Sequence, residues 1–117
     1  MRAGRPLYYL PDQDFGSRKS IFVPFFGVQT ATIPTLSRLA RLTGARVLPC
    51  IVRLLPWGRG YHVRIEPPWT DFPTADRVAD TRRMNAYIES RVLETPEQYV
   101  WMHKRFRTRP PGEAALY

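Results

Sequence analysis

Proline interrupts almost every long apolar segment of this sequence, which limits the chain to short strands joined by frequent turns. There are 12 prolines in 117 residues. Proline has no amide hydrogen to donate and is therefore excluded from the interior of a central strand. Pro11 ends one apolar run, and Pro24 and Pro49 divide two others. We therefore expect several short elements within a single domain over residues 1–117, with a small core.

Four segments are typical of extended structure. The run "RPLYYL" predicts a short buried strand that ends at Leu10, and "SIFVPFFGV" predicts a second extended segment closed by Gly27. The nearly continuous apolar run "ARVLPCIVRLL" predicts a strand covered on both faces, with Pro49 at a bulge, an end or an edge. The alternating "YHVRIE" predicts a half-exposed strand that pairs back as a hairpin.

Helical periodicity appears in two places. Apolar residues recur at spacings of three and four before Gly44, which is placed to cap the helix: Ile33, Leu36, Leu39 and Ala40. A second helix is predicted from Asp76 to about Leu93, with a buried stripe of Met84, Ile88 and Val92. Thr95, Pro96 and Gln98 predict the capping box of a third. The order strand, helix, strand indicates the α/β class, although the chain looks short of sheet.

Charge points to an anionic partner. Lys and Arg outnumber Asp and Glu 18 to 10, and most of the cations are arginine, which binds phosphate and carboxylate in a bidentate manner. Nucleic acid, lipid phosphate and an acidic protein stay open as partners. No apolar run reaches the roughly 18 residues that span a bilayer, so we expect a soluble or peripheral chain. Cys50 stands alone, which excludes an internal disulfide and a cysteine zinc site, and we expect it to be buried.

The residues themselves give few signs of catalysis. Asp12 and Asp14 are either an acid and base or, more commonly, a solvated turn at a strand end. His62 and His103 are both expected at the surface, and no phosphate loop, serine elbow or metal-spaced cluster is present. The basic tail "HKRFRTRP" suits nucleic acid or anionic headgroups, and "IFVPFFGV" suits a core, an acyl-chain groove or a membrane contact.

Several segments, taken in order, resemble one family. "YYLPDQDFG", "SIFVPFFGVQTAT", "LARLTGARVLPC" and "DTRRMNAYIESRVLETPEQYVWMHKRFRTRPPGE" are similar to the carboxyl-terminal half of the bacterial lipid A biosynthesis acyltransferases, the lauroyl and myristoyl transferases. The resemblance covers almost the whole chain. It implies the carboxyl-terminal portion of a glycerolipid-acyltransferase-like α/β sheet with covering helices, and transfer of a fatty acyl group from acyl carrier protein to a phosphorylated lipid A precursor. The implied location is the cytoplasmic face of the inner membrane, with no cofactor, no metal and no nucleic acid partner.

The resemblance also implies roles for particular residues. A strand-end block would bind the acceptor or shape the site, and arginines of the tail would bind phosphate or the carrier protein: Asp12, Gln13, Asp14, Gly16, Arg18, Lys19, Arg105, Arg107 and Arg109. The aromatic segment would continue the wall of the site as an acyl groove formed by Phe22, Phe25 and Phe26.

One departure from the family pattern is important. The family's catalytic motif is a histidine followed five positions later by an acidic residue, but Pro67 follows His62 and Thr108 follows His103 at that spacing. The family's membrane-anchoring helix, which precedes these segments, is also missing. The resemblance therefore implies no catalytic residue in this chain, and a carboxyl-terminal fragment that is inactive unless another chain supplies the histidine. Two alternatives remain, a basic module that binds nucleic acid or acidic protein, and a fragment that folds only against a partner.

Overall fold

The fold is described from a computed structural model that defines residues 4–117. Over that range the chain forms a small α/β domain with two separate two-stranded antiparallel sheets and two α-helices. The elements, in order, are β1 (Ile21–Phe25), β2 (Val28–Thr32), α1 (Thr35–Thr43), β3 (Cys50–Leu54), β4 (Tyr61–Ile65) and α2 (Arg77–Val92). Short 3₁₀ turns follow at Pro56–Gly58, Pro96–Gln98 and Trp101–His103. No helix within residues 4–117 has the length and hydropathy to cross a membrane.

The first hairpin is joined by a two-residue turn. Phe26 and Gly27 both have positive φ, at 48° and 73°, as the type I′ turn that matches strand twist requires. The amide of Phe26 donates to Glu89 Oε1 at 2.7 Å, and Asn85 Nδ2 donates to the Pro24 carbonyl at 3.2 Å. Two side chains of α2 therefore hold the turn and the last part of β1 in place.

The core lies between this hairpin and α2, which packs on β1. Its buried apolar side chains are Val23, Phe25, Ala31, Ala40, Met84 and Val92. The buried Asp80 carboxylate accepts from Ser37 Oγ at 2.5 Å and from the amide and hydroxyl of Thr74. Ser37 belongs to α1, Asp80 to α2 and Thr74 to the loop before α2. Because a buried carboxylate requires hydrogen-bond donors, these bonds fix the three parts relative to one another.

The second hairpin leaves one apolar face uncovered. The register pairs Cys50 with Ile65, Val52 with Val63, and Leu54 with Tyr61, which places all six on one face. All six are exposed. The prediction of a strand covered on both faces is therefore wrong, as is the prediction of a buried Cys50, because the side chains on that face are exposed. The prediction that "YHVRIE" forms a hairpin strand is confirmed.

The predicted helices are largely confirmed. α1 ends at Gly44, which adopts the left-handed conformation and donates its amide to the Ala40 carbonyl. α2 begins after Asp76, whose carboxylate accepts from the amides of Val78 and Ala79. Ile33 lies outside α1, since Pro34 precedes the first helical residue.

Two other predictions are wrong. Residues 7–10 form no strand, because no described strand lies beside them, and Leu7, Tyr8 and Leu10 are exposed. Thr95 makes no side-chain cap, and the segment after it is a single 3₁₀ turn. The Gln98 side chain instead accepts from the Leu54 amide at 2.8 Å and donates to the Leu54 carbonyl at 3.1 Å, so it pairs with the outer edge of β3.

Candidate functional site

An apolar cavity of about 320 Å³ opens between the extended residues 7–12 and the two helices. One wall is formed by Leu36, Leu39 and Ala40 of α1, and the opposite wall by Met84, Tyr87 and Ile88 of α2. The segment of residues 45–50 and the ring of Trp69 close the remaining sides. The helical periodicity identified most of these side chains as apolar, but it predicted core rather than the wall of a cavity. A cavity with a predominantly apolar lining is typical of a small-molecule binding site.

Polar and charged residues also line this cavity, among them Tyr9, Tyr87, Asp12 and Arg46. The Tyr9 and Tyr87 side chains lie on its wall, and burial raises the pKa of each phenol. The negative charge of Glu66 acts on Tyr87 in the same direction. Both phenols are therefore neutral hydrogen-bonding groups at physiological pH.

Asp12 is the carboxylate that lines the apolar cavity. It also lines a second cavity of about 260 Å³, together with Cys50, Tyr87 and Ile88, which line the first as well. Burial raises the pKa of Tyr99 on the second cavity, and the negative charge of Asp12 raises it further. A carboxylate thus lies on the wall of both cavities, and its role in binding the acceptor stays a prediction.

Unlike Asp12, Asp14 is held by hydrogen bonds from the turn at Gly16 and from the tail. Its carboxylate accepts from the amide of Gly16 at 2.8 Å, and from the amide and hydroxyl of Thr108 at 2.7 and 2.8 Å. Burial opposes ionisation, but these hydrogen bonds and the charge of Arg107 outweigh it, so the pKa of Asp14 falls below its ordinary value. Asp14 therefore joins the strand-end block to the tail, and sequence reasoning did not find this contact.

The three tail arginines have three different environments. Arg105 is buried, donates to the Ala31 carbonyl at 2.7 Å and to Thr32 Oγ1 at 2.8 Å, and lies over the Phe25 ring. Burial lowers its pKa, against the opposing effects of Tyr99, Asp12 and Asp14. Arg109 donates to the Gln29 carbonyl and pairs with Glu113. Arg107 is the most exposed and lies 4.0 Å from Asp14 Oδ1.

The other predicted site residues are scattered. Gly16 has a φ of 81° and accepts from Ser20 Oγ at 2.6 Å, which fixes the turn before β1. Gln13 is partly buried, whereas Arg18 and Lys19 are exposed.

The predicted acyl groove at three phenylalanines stays a prediction. Phe25 is buried among the rings of Phe26, Tyr99 and Phe106, with centroids 4.8 to 6.1 Å away. Phe22, like Phe26, is partly buried, and none of the three predicted groove residues lines the apolar cavity.

Neither histidine belongs to the two cavities. His62 and His103 are exposed, as the sequence predicts, and neither is among the residues that line either cavity. Within residues 4–117 no group of three or more His, Cys, Asp or Glu side chains is arranged to hold a metal ion.

Comparison with known proteins identifies one family. The model of the bacterial lipid A biosynthesis acyltransferase family matches residues 1–108. The chain is 40% identical over 118 residues to the lipid A biosynthesis lauroyltransferase of Escherichia coli strain K12, covering 100% of this chain and 39% of that protein. It is also 40% identical over 117 residues to the lipid A biosynthesis myristoyltransferase of the same strain, covering 100% of this chain and 36% of that protein.

A lipid A biosynthesis acyltransferase of Haemophilus influenzae is 42% identical over 113 residues, which are 97% of this chain and 35% of that protein. The chain therefore spans a little more than a third of the length of the curated relatives that it matches.

Proposed function

The chain belongs to the bacterial lipid A biosynthesis acyltransferase family, and from that premise we propose that it is the carboxyl-terminal part of an acyltransferase of lipid A synthesis. It contributes to transfer of a fatty acyl chain from acyl carrier protein to a hydroxyl of a phosphorylated lipid A precursor. The observation that carries the proposal is the family match, which extends over residues 1–108. The names of the lauroyl and myristoyl relatives support a fatty acyl chain as the transferred group.

The apolar cavity supplies a place for that acyl chain. Its walls are predominantly aliphatic and aromatic, and the charged side chains on them belong to Asp12 and Arg46. An acyl chain in the cavity would be removed from water, with a gain of about 0.8 kcal/mol for each buried methylene. Its reactive end would then lie near the Asp12 block, which in this proposal positions the acceptor.

In this proposal, the general base that takes the proton from the acceptor hydroxyl comes from outside the described site. Neither His62 nor His103 has an acidic residue five positions later. In this proposal residues 1–117 are inactive alone, and a histidine motif that lies outside residues 1–117 completes the site. The assembled protein has the glycerolipid-acyltransferase-like fold and acts at the cytoplasmic face of the inner membrane, where this part is peripheral.

A chimeric enzyme tests the proposal. The matched 118-residue segment of the E. coli lauroyltransferase is replaced by residues 1–117, and transfer of labelled lauroyl groups from acyl carrier protein to a lipid A precursor is measured. We expect the chimera to transfer the label and the isolated chain to transfer none. A folded chimera without activity would overturn the proposed function, and activity of residues 1–117 alone would overturn the need for residues beyond them.

Two matched substitutions test the role of the cavity. Ala45 lines the apolar cavity, whereas Ala86 is exposed on α2. In the chimera, Ala45→Phe should lower lauroyl transfer or shift preference to shorter chains, because the ring fills space that the acyl chain needs. Ala86→Phe should leave both unchanged, and equal effects of the two would exclude the cavity as the acyl site.

A further inference from the structure

Four cationic side chains surround one depression on the face of the domain that carries the exposed side of α1. The depression has a volume of about 550 Å³ and is lined by Lys19, Arg38, Arg41 and Arg77, with Ser37 and Leu42 also on its wall. We refer to it as the cationic depression. It shares no lining residue with the apolar cavity.

The fold assembles these cations from three separate parts of the chain. Lys19 lies in the turn before β1, Arg38 and Arg41 are three residues apart on α1, and Arg77 is the first residue of α2. All four residues are exposed. The packing of α1 on α2 and the Ser37–Asp80 hydrogen bond hold two of these parts together.

The cations of the depression form no ion pair with the two nearby carboxylates at the start of α2, Asp76 and Asp80, within residues 4–117. Asp76 accepts from backbone amides at the start of α2, and the buried Asp80 is occupied by Ser37 and Thr74. Among residues 4–117, none of the four cations lies within 4.0 Å of a carboxylate, whereas Arg64 and Arg91 share Glu66 and Glu94. Arg41 makes only a hydrogen bond to the Thr74 carbonyl.

Like charges held together in this way repel each other and are stabilised by a bound anion. Guanidinium groups match the oxygens of a phosphoryl group with two parallel hydrogen bonds, and the lysine adds a point charge. The apolar part of the wall includes Leu42, which is 71% exposed. A cationic surface beside exposed apolar side chains suits a phosphate that is attached to a larger, partly apolar molecule.

We propose that the cationic depression is a binding site for a phosphoryl group. The source of that group is a lipid headgroup or a soluble phosphomonoester, and both present anionic phosphoryl oxygens to the arginines. The proposal deepens the proposed function, on which it rests for a phosphorylated ligand. It assigns the recognition of phosphate to a surface separate from the apolar cavity.

Binding measurements on the complete 117-residue chain test this site. Inorganic phosphate is titrated by calorimetry, and binding to vesicles of phosphatidylglycerol and of phosphatidylcholine is measured by sedimentation. The variant Arg38→Gln/Arg77→Gln removes two cations of the depression. The control Arg53→Gln/Arg59→Gln removes two exposed cations of the β3–β4 hairpin and changes net charge equally. Circular dichroism verifies that both variants are folded.

We expect the depression variant to bind phosphate at least about tenfold more weakly, and the control to change by less than about twofold. A matching loss on phosphatidylglycerol vesicles identifies a lipid headgroup as the source, while phosphate binding without vesicle binding identifies a soluble phosphomonoester. Equal losses in both variants, or no binding of either probe, would overturn the proposal. Because these assays need no acyl transfer, an inactive chimera with intact phosphate binding would reject only the proposed function.

Discussion

The two hairpins of this domain are built alike and buried differently. Each has two five-residue antiparallel strands, yet Phe25 and Ala31 of the first are fully buried, whereas Val63 and Ile65 of the second are 53% and 66% exposed. The difference lies in what surrounds each hairpin. Alternation of apolar and polar residues determines which face of a strand is apolar, but it does not determine whether another element covers that face.

Polar contacts from distant parts of the chain accompany burial of the first hairpin. Asn85 and Glu89 of α2 bind the β1 end and its turn, and Arg105 and Arg109 of the tail bind the carbonyls of Ala31 and Gln29 in β2. The second hairpin is held mainly at its edges, by Gln98 and by the ion pairs of Arg64. We expect stability to depend far more on the first hairpin than on the second.

Phe25→Ala should destabilise the protein strongly, because it removes a side chain from the buried hairpin. The ring is fully buried and contacts three other aromatic rings, so its removal leaves a cavity in the core. We expect the free energy of unfolding to fall by about 3–5 kcal/mol, measured by urea denaturation. The matched control Leu54→Ala, on the exposed face, should cost less than about 1 kcal/mol. Equal losses would mean that the two hairpins are buried alike in solution.

Asp14→Asn should reveal how the tail is fastened beside the first hairpin. The folded state lowers the Asp14 pKa below 3.8. The carboxylate therefore stabilises the fold above that pH, and the contribution is lost as pH falls through the lower folded value. At pH 7 we expect the variant to lose on the order of 2 kcal/mol relative to wild type, with the difference shrinking below about pH 4.

The measurement is urea denaturation of both proteins at several pH values between 2 and 7. Asp71→Asn is the control, because the exposed Asp71 carboxylate makes no hydrogen bond within the described residues. A constant difference between Asp14→Asn and wild type over the whole pH range would show that ionisation of Asp14 is irrelevant to the contact.

Val63→Thr should have the smallest effect on stability, and it tests the exposed hairpin rather than the buried one. Val63 is half-exposed on the uncovered face of β4, so a hydroxyl there stays in water and keeps the β-branched shape. The free energy of unfolding should change by less than about 0.5 kcal/mol. A loss above about 1 kcal/mol, together with self-association of the wild-type protein that increases with concentration in sedimentation experiments, would indicate that a second copy covers this face.

Local signals predicted the elements that depend on local chemistry. The apolar spacing and Gly44 predicted α1 and its end, the four-residue stripe predicted α2 to within a residue at each end, and alternation predicted β4. β2 was missed, although Phe26–Gly27 is followed by the β-branched Val28, Thr30 and Thr32, which together indicate a hairpin.

Tertiary contacts explain the rest. Arg105 belongs to a basic tail that looks solvated, and only the fold shows that it enters the core beside Phe25. Gln98 fitted a capping box with Thr95, but its amide finds a better partner in Leu54, 44 residues away. Asp12 lies on two cavities while Asp14 anchors the tail, so two carboxylates that looked equivalent in the sequence differ in the fold, and the predicted site role of each stays a prediction.

The Gln98 contact has a consequence for self-association. An unpaired strand edge is a template on which other chains add strands and aggregate, and the outer edge of β3 belongs to the most exposed apolar hairpin of this domain. A single side-chain amide supplies at Leu54 both the acceptor and the donor that an incoming strand would offer. One glutamine thus occupies the outward backbone groups of this edge at Leu54, where an incoming strand would otherwise pair.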